Sequence, residues 1–100
     1  MYQLLVSFTV AAQHHDAFVT AALRNARDSV ANEPGTRRFE VIAAQDDPEL
    51  IYLNEVYDDA DACDVHVGGP YFAEFATAVT PIAQGPVWLM RGRPIADRRL

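Results

Sequence analysis

The sequence predicts an α+β domain of the ferredoxin-like kind, a split β-α-β arrangement built on one four-stranded antiparallel sheet. Three observations predict it. A chain of 100 residues has room for one domain and one core. Its hydrophobic pattern changes period in the order strand, helix, strand, strand, helix pair, strand. Breaks at Pro34-Gly35, Gly68-Gly69 and Gly85-Pro86 separate those segments.

From Tyr2 to Val10 alternate residues are apolar, with Tyr2, Leu4, Val6, Phe8 and Val10 on one face, which is the period of a strand. From His14 to Asn32 a step of about 100° gathers Phe18, Val19, Ala21, Ala22, Leu23, Ala26 and Val30 on one broad arc, the mark of an amphipathic helix. Pro34-Gly35 ends it, because proline cannot continue a helix and glycine permits the reversal. Strands over Arg37 to Ala44 and Leu50 to Tyr57, joined by a turn at Asp46-Asp47-Pro48, make an antiparallel hairpin. Asp58 or Asp59 offers an oxygen to cap a short helix running to about Val67. Pro70 restarts helix at a first-turn position, with Phe72, Phe75, Ala76 and Val79 as its buried stripe. A last strand spans about Val87 to Arg91, giving a core over residues 1–92 and a tail over 93–100.

The formal charge of −6 comes from fourteen acids against eight bases, all arginine, so nucleic acid is not expected as a partner. Four of those arginines, Arg91, Arg93, Arg98 and Arg99, fall in the last ten residues, either as a solvated tail or as an arm that meets acids of a partner subunit. Cys63 is the only cysteine, which excludes an intrachain disulfide and a cysteine-based metal site and fits a reducing cytoplasm. No apolar run is long enough for a membrane span, and the N-terminus lacks the basic region of a signal peptide. Both faces of the strands are largely apolar, Leu5, Leu50, Tyr52, Val56, Trp88 and Met90 standing opposite the main stripe. A solvated face would alternate toward polar residues, so a second subunit is expected to cover it.

No Gly-rich phosphate loop, metalloprotease helix or nucleophile elbow is present, and any catalysis must use a pocket with few polar groups. Asn25 and Ser29 fall within the core-facing arc of the first helix, and a buried polar pair must be satisfied either by the fold or by a ligand cavity. His66 sits near the end of the short helix and is available as a general base. His14 and His15 read as surface residues. Glu55 shares a strand face with Ile51, Leu53 and Tyr57, as an edge residue, a partner for Arg38 or Arg91, or a catalytic acid. Phe39, Tyr57, Tyr71, Phe72 and Trp88 could supply aromatic surface to a flat ligand or simply fill the core.

The fragments Glu33-Pro34-Gly35, Arg38-Phe39-Glu40-Val41, Glu55-Val56-Tyr57, Ala62 to His66 and Pro70-Tyr71-Phe72 together resemble the antibiotic biosynthesis monooxygenase family, which includes quinol monooxygenases and autoinducer-2 processing enzymes. The resemblance runs from the first strand to about Pro86. It implies a homodimer whose sheets face one another as a dimeric α/β barrel, with a pocket between sheet and helices. It also implies oxidation of a quinol or polyphenol by molecular oxygen without flavin, haem or metal. His66 matches the histidine of the family's His-x-x-x-Pro motif, and Asn25 and Ser29 match polar helix positions of the autoinducer-2 branch. Tyr71 stands where a histidine often follows the motif's proline, and the first strand carries Ser7 and Thr9 without the asparagine of haem-degrading relatives.

These readings assign catalysis to His66, Asn25 and Tyr57, and substrate contact to Ser29, Arg38, Phe39, Glu55, Tyr71, Phe72 and Trp88, with no metal and no cofactor. An isomerase or lyase acting on a phosphorylated diketone is the second reading, with Arg38 as the phosphate ligand. A non-catalytic dimeric module that binds a small ligand is the third.

Overall fold

The structure, a computed structural model, describes residues 1–95. Its elements are β1 (Tyr2–Val10), a 3-10 turn (Ala12–His14), α1 (His15–Asn32), β2 (Thr36–Ala43), β3 (Leu50–Tyr57), α2 (Ala60–Val67), α3 (Pro70–Val79) and β4 (Ala83–Gly92). The strands form one antiparallel sheet in the order β2-β3-β1-β4, the ferredoxin-like arrangement. β1 and β3 have the expected bounds, and β2 begins and ends one residue early. No helix among the described residues is long and apolar enough to cross a membrane.

Two expectations need correction. The last strand starts at Ala83 instead of Val87, because Ala83 and Gln84 already pair with Val10 and Thr9 and the chain continues through Gly85-Pro86 with shifts of register. Proline is tolerated there because β4 is an edge strand and needs no inward N–H at every residue. Gly85 has φ +129°, and a Cβ on it would lie 2.8 Å from the Ser7 carbonyl oxygen. On α1, Leu23 and Val30 are 47% and 45% exposed, so the buried face is narrower than the expected arc. It is made by Phe18, Ala22, Asn25, Ala26 and Ser29.

The register sorts the sheet into two faces. Toward the helices lie the rows Val41, Leu53, Val6, Trp88 and Phe39, Glu55, Leu4, Arg91. Away from them lie the rows Ile42, Tyr52, Ser7, Val87 and Glu40, Asn54, Leu5, Met90. A chain of hydrogen bonds runs across the outer face, from Gln3 to Asn54 (2.9 Å), Asn54 to Glu40 (2.8 Å) and Arg38 to Glu40 (2.9 Å). The helices cover β1, β3 and β2 better than β4, where Trp88 on the helix side and Val87 on the outer side are both 55% exposed. Arg98 and Arg99 lie outside the described residues.

The core closes around three rings: Phe8 lies 5.1 Å from Phe18 and 5.8 Å from Phe75, with Phe18 and Phe75 5.9 Å apart. Tilted and edge-on geometry of this kind adds to the burial each ring contributes. α2 docks against the start of β2 at Gly35, where a Cβ would fall 2.5 Å from the Ala62 Cβ. That contact requires glycine, and it brings the first turn of α2 against the chain just after α1.

Phe18 is fully buried. Phe18→Ala removes the ring shared by β1, α1 and α3 and is expected to cost about 3–5 kcal/mol, read from urea denaturation midpoints at unchanged m.

Candidate active site

α2 is short and is capped by Asp59, whose Oδ1 accepts from the Ala62 N–H at 2.8 Å. In its last turn stands His66, a residue 1% exposed whose ring sits among Phe39, Tyr57 and Phe72 at centroid distances of 5.6, 5.7 and 5.8 Å. The Nδ1 of His66 lies 2.8 Å from Glu33 Oε1, which also accepts from the Thr36 hydroxyl at 2.8 Å. A carboxylate only accepts, so the imidazole hydrogen sits on Nδ1 and the neutral ring keeps its acceptor lone pair on Nε2. Glu33 is the C-cap residue of α1, its N–H donating to the Ser29 carbonyl. The sequence reading used Glu33 only as part of a motif and gave it no role. A signal existed, since an acid at a helix C-terminus opposes the helix dipole and has to be held there by another interaction.

A cavity of about 120 Å³ opens in front of His66, between the sheet and the helices. Its wall is mostly apolar, with Phe39, Phe72 and Trp88 joined by three polar side chains: His66, Glu55 and Asn25. Glu55 stands between Phe39 and Leu4 on the helix-facing side of the sheet and is 8% exposed. The Tyr57 hydroxyl, two residues along and on the same face, donates to Glu55 Oε1. Burial pushes the Glu55 carboxyl up to about 7, against the opposing effect of that hydrogen bond. Burial and the neighbouring Glu55 charge push the Tyr57 hydroxyl far above the ordinary phenol range. Cys63, part of the same wall, is pushed up to about 11 by burial first and by Glu55 and Asp64 next, which keeps it a thiol.

The residues expected at the site divide accordingly. His66, Asn25, Glu55, Phe39, Phe72 and Trp88 meet at this cavity. Ser29 is fully buried and donates to Asn25 Oδ1 at 3.0 Å, so the fold satisfies the pair and leaves the Asn25 amide hydrogens as the group that can face a ligand. Tyr57 is also fully buried; its ring packs on His66 and its hydroxyl is used by Glu55, which places it behind the wall. Tyr71 lines a different cleft of about 160 Å³ between α1 and α3, beside the exposed Arg24–Glu74 pair at 3.2 Å. Asn25 and Phe75 line both spaces.

Arg38 is a correction: it is exposed on the outer face and bound to Glu40, so it cannot serve a phosphate in the cavity. Neither arginine pairs with Glu55, whose partner is Tyr57; Arg91 stacks over the Trp88 ring at 5.3 Å. No group of three or more His, Cys, Asp or Glu side chains among the described residues is arranged to hold a metal ion.

A family model described as antibiotic biosynthesis monooxygenase matches residues 1–78. Among solved structures, a Nitrosomonas europaea protein provisionally named an antibiotic biosynthesis monooxygenase is similar at 27% identity and TM-score 0.79, over 86% of this chain and 90% of that one. A protein of Lactobacillus acidophilus NCFM, provisionally named a monooxygenase, is 25% identical with TM-score 0.82, over 90% of this chain and 44% of that longer one. A Caulobacter crescentus CB15 protein superimposes with TM-score 0.87 over 95% of this chain and 90% of its own, at 23% identity, a likeness of fold.

The raised Glu55 pKa has a stability consequence with a definite sign. The native state holds this proton more tightly than the unfolded chain, so the contribution is full below about pH 4.5 and is lost as pH rises through about 7. Glu55→Gln is therefore expected to be more stable than the parent at pH 8 by about 2–3 kcal/mol. The gap should close toward pH 4.5, as followed by chemical denaturation across that range.

Proposed function

Because the chain belongs to the antibiotic biosynthesis monooxygenase family, we propose that it is an oxygenase that oxidises a small quinol or polyphenol with molecular oxygen and without a bound cofactor. One observation carries the reading: the Glu33-backed His66 faces a small, mostly apolar cavity together with Glu55. A space of about 120 Å³ suits one aromatic ring and little more. The aromatic wall favours a flat ring, and the scarcity of polar groups keeps water from competing for it.

His66 takes a phenolic proton on Nε2, and Glu33 stabilises the imidazolium that results, as an acceptor fixed on the opposite nitrogen. The ring anion is then electron-rich enough to pass an electron to dioxygen directly. Asn25 donates to the phenolate oxygen from its amide, oriented by Ser29. Tyr57 acts through Glu55 and the His66 ring and does not touch the substrate. For a quinol with an open ring position the net change is quinol plus dioxygen to hydroxyquinone plus water. One oxygen atom enters the ring, the other leaves as water, and the ring supplies four electrons.

The working unit is a homodimer. β4 is uncovered on both faces, and the outer sheet face carries Ile42, Tyr52, Leu5, Val87 and Met90 beside the hydrogen-bonded polar chain from Gln3 to Arg38. An apolar sheet surface of this kind is normally covered, and a second copy brings the matching surface.

Oxygen-electrode assays with simple quinols should show uptake that stops under anaerobic conditions and falls about a hundredfold or more in His66→Ala. Turnover that persists without oxygen, or in that variant, rules the mechanism out. By sedimentation, the parent chain should run as a dimer at micromolar concentration and Met90→Glu, on the outer face, as a monomer. A monomeric parent chain would remove the paired-sheet arrangement.

A further inference from the structure

The geometry assigns to Glu55 a catalytic role of its own: it hands a proton to the peroxide formed on the ring and recovers one from the ring carbon. The assignment rests on the oxygenase reading above and adds the second proton carrier that this chemistry demands. His66 and Glu55 stand on the same cavity from different elements, α2 and β3. Each has a dedicated partner of opposite kind. Behind His66 is an acceptor, Glu33, fixed on Nδ1. On Glu55 the Tyr57 hydroxyl occupies Oε1, and among the described residues no buried side-chain oxygen or nitrogen lacks a partner, so Oε2 opens onto the cavity. That oxygen carries the proton to be delivered. Burial holds the proton on and Tyr57 eases its release, which together keep the group near neutrality.

The steps balance. His66 removes a phenolic proton, and the anion and dioxygen combine through one-electron transfer and radical coupling to form a carbon–oxygen bond and a ring peroxide anion. Glu55 protonates the terminal peroxide oxygen. The resulting carboxylate then takes the hydrogen of the same ring carbon as a proton, the electrons of that carbon–hydrogen bond form the new carbonyl, and the oxygen–oxygen bond breaks. The departing hydroxide takes the proton stored on His66 and leaves as water. Both side chains return to their starting states, and dioxygen is the sole oxidant.

The ionisable groups around Glu55 are Tyr57 on its own strand, Cys63 and His66 on α2, Glu33 at the end of α1 and Arg91 on β4; among the described residues only Tyr57 hydrogen-bonds it. Two measurements test the role. In infrared titration of the whole protein, a buried carboxylic acid band should be present at pH 6, disappear with a midpoint near 7, and be missing from Glu55→Gln. With a quinol in air, Glu55→Gln should still consume oxygen but release it as hydrogen peroxide, with hydroxyquinone formed per oxygen down about tenfold or more. Tyr57→Phe should move the alkaline limb of the rate profile upward by raising the Glu55 midpoint, which a merely structural defect would not do. A parent enzyme that turns over while Glu55→Gln keeps the same product-to-oxygen ratio overturns the assignment alone, as does a titration midpoint near that of a free glutamate. A parent enzyme that consumes no oxygen with quinols overturns the oxygenase reading, and this assignment with it.

Discussion

The hydrogen bond between Glu33 and His66 is the constraint on which the other contacts depend. It joins residues 33 positions apart, the last turn of α1 and the last turn of α2, in a place almost without water. A carboxylate in such a place is tolerated only with its donors in position, and Thr36 supplies the second. The same bond therefore fixes the helix ends relative to each other, anchors the start of β2, and decides which nitrogen of His66 looks into the cavity. Gly35 makes it reachable by letting α2 come into contact with the chain just after α1. Fold and chemistry share one set of atoms here.

Around that anchor the polar groups are distributed sparsely and each is already committed to a partner. Ser29 orients Asn25, Tyr57 orients Glu55, and Glu33 orients His66. Three side chains reach the ligand space and three stand behind them. This arrangement follows from the cost of leaving a buried polar atom unpaired, about 1–3 kcal/mol each. It also limits motion, because a side chain held from behind has little rotamer freedom to lose when a ligand arrives.

Much of the architecture was legible because it is written in periodicity. The alternation from Tyr2 to Val10 and from Leu50 to Tyr57 marked two strands to the residue, and the switch to a helical period marked α1. Gly85-Pro86 was read as a stop, yet an edge strand accepts both residues and continues through them. Leu23 and Val30 looked buried by wheel position, but the buried face is narrower than the arc and centres on Ala22, Asn25 and Ser29, the last two mutually satisfied. His66 was legible as a cavity residue from its motif. Glu33 showed locally only that it needed a partner; which one did not show, because a contact across 33 residues leaves no mark in local spacing. Arg38 shows the converse: the second reading needed a phosphate-binding arginine in the pocket, while alternation along β2 puts Arg38 on the opposite side of the sheet from Phe39.

Asn25 and Phe75 separate the inner cavity from the cleft between α1 and α3 by the thickness of their own side chains. The partition stands apart from His66, Glu33, Glu55 and Tyr57. The size of the cavity and its buried polar groups are therefore set by different residues: a smaller side chain at position 75 would join spaces of about 120 and 160 Å³ while leaving His66, Glu33, Glu55 and Tyr57 in place. Under the oxygenase reading proposed above, one change at position 75 would alter the size of ring the cavity admits without touching the groups assigned to proton transfer.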